Sequence, residues 1–594
     1  MYCVHYIQGD KKLKTSYAIH PKGTQARVLL SSVFGPFAQD DPYGSRAINP
    51  MELYQNQVTR VQGPFSLRMF HRSFGLLLLQ SNIEGPCTLL DFPSMDIFIQ
   101  ELKQSAYDII GISAIIPNVE KVKKMCQLIR QYQPDAIIVV GGHISNKGGI
   151  DESIDADHIV RGDGVKWFRR FLGQDVTAPV KHPMAYSAFG ARTMGITLPD
   201  KPGDTAAILI PSVGCPVGCN FCSTSALFGG KGQFVSFFET GDELFDVMCQ
   251  LEKTLKIQSF FVLDENFLIH RKRALRLMEL MQANSKSWLL NVFSSARVLR
   301  SYTMEQIVGL GIGWVWMGIE GKSSQYRKLQ DIDTRDLIKD MQSHGIRVLG
   351  SSIIGMEDHT PENIDAVIAH AVSHNSDFHQ FMLYTPNPGT PLYRHHKKEG
   401  TLLDESDFPP ADAHGQYRFN YRHRHIKNGL EHEFLLRSFT QDFAINGPSI
   451  ARLSRTLLTG WQRYKNCPNQ RIQRRFAWEV KSLKTTYAGA VWAMRRYYQH
   501  EKPMFKKMNC LFKDLCREFG VRTLIAGPVI GIYIYRNLIK EERRLAAGWQ
   551  YEPTSFYNKN AAAIALESRT SKIFAPKQRD NIRSLMPPIP VLKR

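Results

Sequence analysis

The chain of 594 residues is 43% hydrophobic and 22% charged, enough apolar material for roughly three folded units and too much for a disordered one. Ten scattered cysteines exclude a disulfide-stapled secreted domain, and the opening MYCVHYIQGDKKLK has no apolar signal core, so a reduced, cytoplasmic protein is expected. The net charge of +20 is lopsided: after residue 430 there are 30 Lys and Arg against 12 Asp and Glu, so the last 164 residues carry nearly all of it.

In chain order, the first 200 residues alternate apolar runs with amphipathic stretches: RVLLSSV from Arg27, GLLLL from Gly75, TLLDF from Thr88, YDIIGIS from Tyr107 and AIIVVGG from Ala136. Such runs predict strands of a doubly wound parallel sheet with helices on both faces. Between the last two, Val119, Val122, Cys126 and Ile129 recur at helical spacing and complete a βαβ unit. The strands end at Gly111 and at Gly141-Gly142, where a sheet of this kind binds ligands.

A second βα rhythm starts near Thr205, with strands expected at AAILIPS, SFFVLDE, LLNVFSS, GWVWMGIE, RVLGSSIIG and FHQFMLYT. These six units fall short of a closed barrel and predict a partial β/α barrel. Beyond about Pro409 the strand signal fades into a basic, aromatic, mainly helical region, and the end, LMPPIPVLKR, reads as loose. The expected fold class is α/β, with domains over residues 1–200, 201–408 and 409–594. No run reaches the length of a spanning helix, Leu524 to Tyr535 coming nearest.

The sharpest signal is GCPVGCNFCS, which sets Cys215, Cys219 and Cys222 at the spacing C-x3-C-x2-C just after a strand. Three thiolates from one short loop suit a metal cluster, and Gly214 and Gly218 let the backbone wrap closely around it. A closed zinc site would need a fourth ligand, and none stands nearby in sequence. Cys3, Cys87, Cys126, Cys249, Cys467, Cys510 and Cys516 lack such spacing and read as packed thiols.

With Phe221 before its last cysteine, the triplet resembles the signature of the radical S-adenosylmethionine superfamily, over roughly Thr205 to Arg394. The resemblance implies a 4Fe-4S cluster held by Cys215, Cys219 and Cys222, with one iron left open for S-adenosylmethionine and a 5′-deoxyadenosyl radical as the reactive species. It also implies S-adenosylmethionine contacts from Phe221, from Glu265 and Asn266 in DENF, from Gly318 and Glu320 in GIEG, and from Gly355 in SIIGMED. The motif NPGTPLY, from Asn387, is similar to one in the cobalamin-associated branch of these enzymes, and a structural turn explains it equally well.

The segment from about Gly75 to Leu172 resembles the cobalamin-binding domain that precedes many of these proteins. The implied cobalamin neighbours are Ser113, Ala114, Gly141, Gly142, His143 and Gly162. The histidine motif D-x-H-x-x-G is absent, so either cobalamin binds without a protein ligand to cobalt or the domain keeps only the shape.

In the basic region, Trp478, Trp492, Tyr497 and Tyr498 stand among Arg474, Arg475, Arg495 and Arg496. Three uses fit: an anionic membrane surface, a nucleic-acid backbone, or a helical cap on the barrel. The long apolar run near Leu524 favours membrane over nucleic acid. The expected function is a cobalamin-dependent radical S-adenosylmethionine enzyme that methylates an unactivated carbon of a small-molecule or lipid-like substrate. It would draw electrons from a flavodoxin or ferredoxin and sit in the cytoplasm or at the inner membrane face. No catalytic side chain is assigned. The alternatives are rearrangement, cyclisation or carbon-carbon coupling without methyl transfer, an RNA methylthiotransferase, and a cluster- or corrin-based sensor with a nucleic-acid-binding tail.

Overall fold

The computed structural model describes residues 19–37, 42–44, 48, 51–187, 189–199, 205–320 and 332–566. Cys3 and the LMPPIPVLKR end lie outside the described residues.

The front sheet contains β1 (Val28–Ser31), β2 (Cys87–Asp91), β3 (Ile109–Ser113), β4 (Ile137–Gly141) and β5 (His158–Ile159). They run parallel in the order β2-β1-β3-β4-β5, so the connection reverses between β1 and β3 and opens a crevice at their carboxyl ends. Helix α1 (Val119–Tyr132) buries Val119, Val122, Cys126 and Ile129 against this sheet. The GLLLL run, expected as a strand, is a helix, Phe74–Ser81. Leucine lacks β-branching and favours helix, and Leu76 and Leu77 pack onto Val28, Leu30 and Leu89 of the sheet face.

The second sheet contains β6 (Ala207–Leu209), β7 (Ser259–Val262), β8 (Leu289–Phe293), β9 (Ile312–Gly318), β10 (Arg347–Ile354) and β11 (Phe378–Leu383). All six expected strands form, parallel and in sequential order, the arrangement of a partial β/α barrel. The helices between them bury the largest core of the molecule on the outer face. The inner face is plugged at the amino ends of the strands by residues 51–71, where Tyr54 packs edge-on against Phe378 and His71 stacks on Phe261.

The basic region folds as α2 (Leu430–Asn446), α3 (Ser449–Tyr464), α4 (Gln470–Glu479), α5 (Ala488–Tyr497), α6 (Lys502–Phe519) and α7 (Val521–Ala546). Much of its charge is spent on docking. Glu479, buried, pairs with Arg347 of β10 at 2.8 Å and Arg475 at 2.9 Å, and Thr456 donates to the buried Asp377 at 2.6 Å. No helix among the described residues is long and apolar enough to cross a membrane. The chain then returns to the front domain: β12 (Phe556–Lys559) pairs antiparallel with β2 and closes that edge of the sheet.

Candidate functional site

The cysteine loop leaves β6 and is pinned at its root. Asp264, buried after β7, accepts from Ser212 Oγ and pairs with Arg273 at 2.6 Å. Gly214 and Gly218 adopt φ of +89° and +66°. A Cβ at Gly218 would lie 2.5 Å from Lys231 Cα, so the loop closes only with glycine there. Cys222 heads the short helix Ser223–Leu227, its Sγ accepting from the Ser225 amide at 3.5 Å, and Ser225 Oγ donates to the Cys215 carbonyl at 3.0 Å. Burial pushes the Cys215 thiol up to about 11, and Cys222, Cys219 and Glu265 add to the shift through their charges. The other two sulfurs and one carboxylate thus lie within electrostatic reach of Cys215. No three His, Cys, Asp or Glu side chains among the described residues converge on a single metal ion; sulfurs around a cube stand wider apart than around one ion.

Glu265 follows β7. Burial pushes its carboxyl up to about 7, the charge of Asp264 adds to this, and its Oε2 makes no hydrogen bond. Asn266 is committed to structure: its Oδ1 accepts from Ser294 Oγ at 3.1 Å and from the Ser295 amide at 3.2 Å.

One cavity of about 550 Å³ lies between the two sheets. Phe221 and Cys222 line it from the cysteine loop, Gly318 and Glu320 from the end of β9, and Ser351 to Ile353 from β10. Ile115 to Pro117 and His143, beyond β3 and β4, cover it from the front domain. The two halves are stitched beside it by Asn146 Nδ2 donating to the Ser223 carbonyl at 3.4 Å and by a Lys147 to Glu405 pair at 2.6 Å. The His143 ring is held neutral by burial, and its Nδ1 has no hydrogen-bond partner.

The cavity floor is a chain of polar groups. Trp316 Nε1 donates to Ser351 Oγ at 2.8 Å, Ser351 Oγ to Gln380 Oε1 at 2.7 Å, and Gln380 Nε2 to Gln57 Oε1 at 3.1 Å. Phe293 stacks on Trp316 at 5.1 Å.

A separate slot of about 70 Å³ opens in the crevice of the front sheet, lined by Gly111, Ser113, Gly141, Gly142, Gly162 and Gly164 among others. Gly142 has φ +86° and ψ −166°, and a Cβ there would lie 2.7 Å from the Ala114 carbonyl oxygen. Ala114 itself is held by its backbone, donating to Gly141 and accepting from Ile144, each at 3.1 Å.

Residues 77–172 match the B12 binding domain family. The chain is similar to a bacteriochlorophyllide d C-12(1)-methyltransferase of Chlorobaculum tepidum, 22% identical over 52% of this chain and 70% of the relative. It is similar too to an anaerobic magnesium-protoporphyrin IX monomethyl ester cyclase of Cereibacter sphaeroides, 22% identical over 58% of this chain and 64% of the relative. Among solved structures it matches TsrM, a radical S-adenosylmethionine methyltransferase from Kitasatospora setae with cobalamin and a 4Fe-4S cluster bound, at 14% identity and a TM-score of 0.49, over 76% of this chain and 99% of that one. The chain thus carries a B12-binding domain and, at low identity, is similar over half its length to enzymes of methyl transfer and ring closure.

The residues present fit the groups such enzymes use. A loop of three thiols, two of them within electrostatic reach of Cys215 and with no fourth thiol in its sequence neighbourhood, suits a cluster with one open iron. The partnerless Oε2 of Glu265 beside it suits a cationic amino group. The slot is narrow, bordered by glycine backbone and walled by Leu30, Leu76, Leu79, Val160 and Phe168, which suits the tail of a corrinoid.

Of the residues singled out from sequence, Phe221, Cys222, Gly318, Glu320 and His143 line the cavity, and Ser113, Gly141, Gly142 and Gly162 line the slot. Cys215, Cys219, Glu265, Asn266, Ala114 and Gly355 line neither; at Gly355 a Cβ would lie 2.2 Å from the Phe419 ring, which covers it. In NPGTPLY, Asn387 reaches the cavity while Thr390 caps the helix Pro391–Lys398, so the motif serves both turn and site. Gln57, Gln380, Tyr384 and His414 line the cavity without any signal in sequence, since none belongs to a local pattern.

Proposed function

We propose that this enzyme transfers a methyl group to an unactivated carbon of a small, largely apolar molecule. The observation that carries the reading is the single cavity bounded at once by Cys222, by the strand ends of the barrel and by the loops beyond β3 and β4. On this reading Cys215, Cys219 and Cys222 hold the cluster, Glu265, Phe221, Gly318 and Glu320 hold S-adenosylmethionine, and the glycine slot holds cobalamin with Ile115 to Pro117 and His143 behind it. When bound, these groups supply the radical and the methyl donor, and the protein's share is placement and exclusion of water. His143, neutral, meets the corrinoid without charge. The Gln57, Gln380 and Ser351 chain offers fixed donors and acceptors to a polar group of the substrate, and the aromatic layer of Phe293 and Trp316 beneath it keeps that end dry.

The test is turnover of the anaerobically reconstituted protein. It is loaded with iron, sulfide and hydroxocobalamin, given a strong reductant and methyl-deuterated S-adenosylmethionine, and offered a lipid and small-molecule extract of the cells that make it. Deuterated methyl groups in an extract component are the expected result. Formation of 5′-deoxyadenosine with an unlabelled, altered product overturns methyl transfer in favour of rearrangement or ring closure.

A further inference from the structure

Helix α7 is built inside out. Its inward face carries Thr523, Gly527, Gly531, Ile534, Leu538 and Glu541. The two glycines are there because α5 and α6 press close: a Cβ at Gly531 would lie 2.5 Å from the Trp492 ring, and one at Gly527 2.7 Å from the Phe512 ring. The large apolar residues are on the other side. Val521, Leu524, Ile525, Val529, Ile532 and Tyr533 are all exposed, Val521 and Val529 by 69% and 66%. Their spacing, i, i+3, i+4, i+8, i+11 and i+12, sets them in one stripe along three turns of helix. Single exposed apolar residues need no explanation, but a contiguous stripe of six marks a surface that something covers.

The charges around the stripe say what. Arg522, Arg536, Lys540 and Arg543 are exposed on the same arc of the helix, and none of their side chains makes a hydrogen bond or ion pair among the described residues. The only two carboxylates of α7 are turned away: Glu541 is buried against Arg192 at 2.9 Å, and Glu542 accepts from the Tyr497 hydroxyl. The face is therefore apolar in its first half and cationic, with no acid, in its second. A second copy of this chain would set like charges against each other. Residues 567–594, with seven Lys and Arg and two acids, would do the same. A layer of anionic headgroups over acyl chains complements both halves.

We propose that the outward face of α7 rests on an anionic lipid surface, with Val521 to Tyr533 sunk among the acyl chains and Arg522, Arg536, Lys540 and Arg543 at the headgroups. The inference stands apart from the reaction proposed above, because docking needs no turnover. The test is co-sedimentation of the full-length, cofactor-loaded protein with vesicles of phosphatidylcholine alone and of phosphatidylcholine with an equal share of phosphatidylglycerol. The protein is expected to pellet with the anionic vesicles only. The doubly substituted Ile525→Glu, Val529→Glu protein should stay in the supernatant. The Arg536→Glu, Lys540→Glu protein should bind about tenfold more weakly or worse. All four positions are exposed, and retained iron content and melting temperature confirm that each variant folds. Wild-type protein that ignores anionic vesicles, or an Ile525→Glu, Val529→Glu variant that pellets as wild type does, overturns the proposal. So does a wild-type dimer in light scattering that this variant dissolves while vesicles capture neither, since the stripe would then be an interface between copies.

Discussion

The two sheets present different materials at their carboxyl edges. At the carboxyl edge of the front sheet the surface on offer is glycine backbone within apolar walls: Gly111, Gly141, Gly142 and Gly162 leave a narrow slot beside Leu30, Leu76, Leu79, Val160 and Phe168, with no charged group in its lining. At the carboxyl edge of the barrel it is side chain: three thiols, the carboxyl of Glu265, Glu320, and an amide and hydroxyl chain from Gln57 to Trp316. A backbone surface selects by shape and is damaged by adding atoms. A side-chain surface selects by chemistry and is damaged by removing them.

That contrast fixes the sign of the two largest effects. In the barrel, Cys215→Ala, Cys219→Ala or Cys222→Ala should each drop iron from about four per chain toward zero and abolish S-adenosylmethionine cleavage, measured by iron analysis and by 5′-deoxyadenosine release. A variant that keeps its iron would break the comparison on the barrel side. In the front domain the damaging change is a gain of one carbon. Gly142→Ala forces a Cβ to 2.7 Å from the Ala114 oxygen in a backbone conformation that only glycine adopts readily. Cobalamin retained after gel filtration should fall about tenfold, a cost of some 1–3 kcal/mol, while iron content stays at the wild-type level. Loss of both groups together would mean that the two edges are not independent.

The same division governs what the sequence could tell. The cysteine loop carries its chemistry within eight consecutive positions, and the slot has a local landmark in the pair Gly141-Gly142, so both stand out unaided. All six barrel strands were legible because each is a short run rich in apolar residues, set off by the helical segments between them. The cavity floor was not: Gln57 and Gln380 meet across 323 positions, and neither belongs to a pattern. Strand β12 was hidden for the same reason, since Phe556–Lys559 has no apolar alternation and becomes a strand only by pairing with the distant edge of β2. The GLLLL helix shows the limit from the other side, a run too uniform for its period to declare helix or strand. The apolar run near Leu524 already suggests a membrane surface in sequence, but that Gly527 and Gly531 face inward and the large apolar residues outward needs the structure.

The smallest effect on cofactor loading belongs to the segment that joins the two edges. Residues 51–71 plug the barrel and deliver Gln57 to its floor, and Glu52 is fully buried at their start. Arg68 stands 3.8 Å away, too far to hydrogen-bond, and neither carboxyl oxygen has a partner. Burial outweighs the pull of Arg68 and raises the carboxyl from 4.5 to about 8. The native state therefore holds a proton that the unfolded chain releases above about 4.5, so this group's contribution to stability is complete below that pH and is lost progressively as pH rises toward about 8. Glu52→Gln keeps the shape and removes the titration. Its melting temperature should match wild type at the acid end of that window and exceed it at the alkaline end, by an amount on the order of a few kcal/mol of stability. Because Glu52 serves the plug and not the glycine slot, cobalamin retention should be the same in variant and wild type across the window. Parallel pH curves for the two proteins would show that Arg68 already holds the carboxylate charged. A change in cobalamin retention would show that the plug supports both edges, erasing the distinction between them.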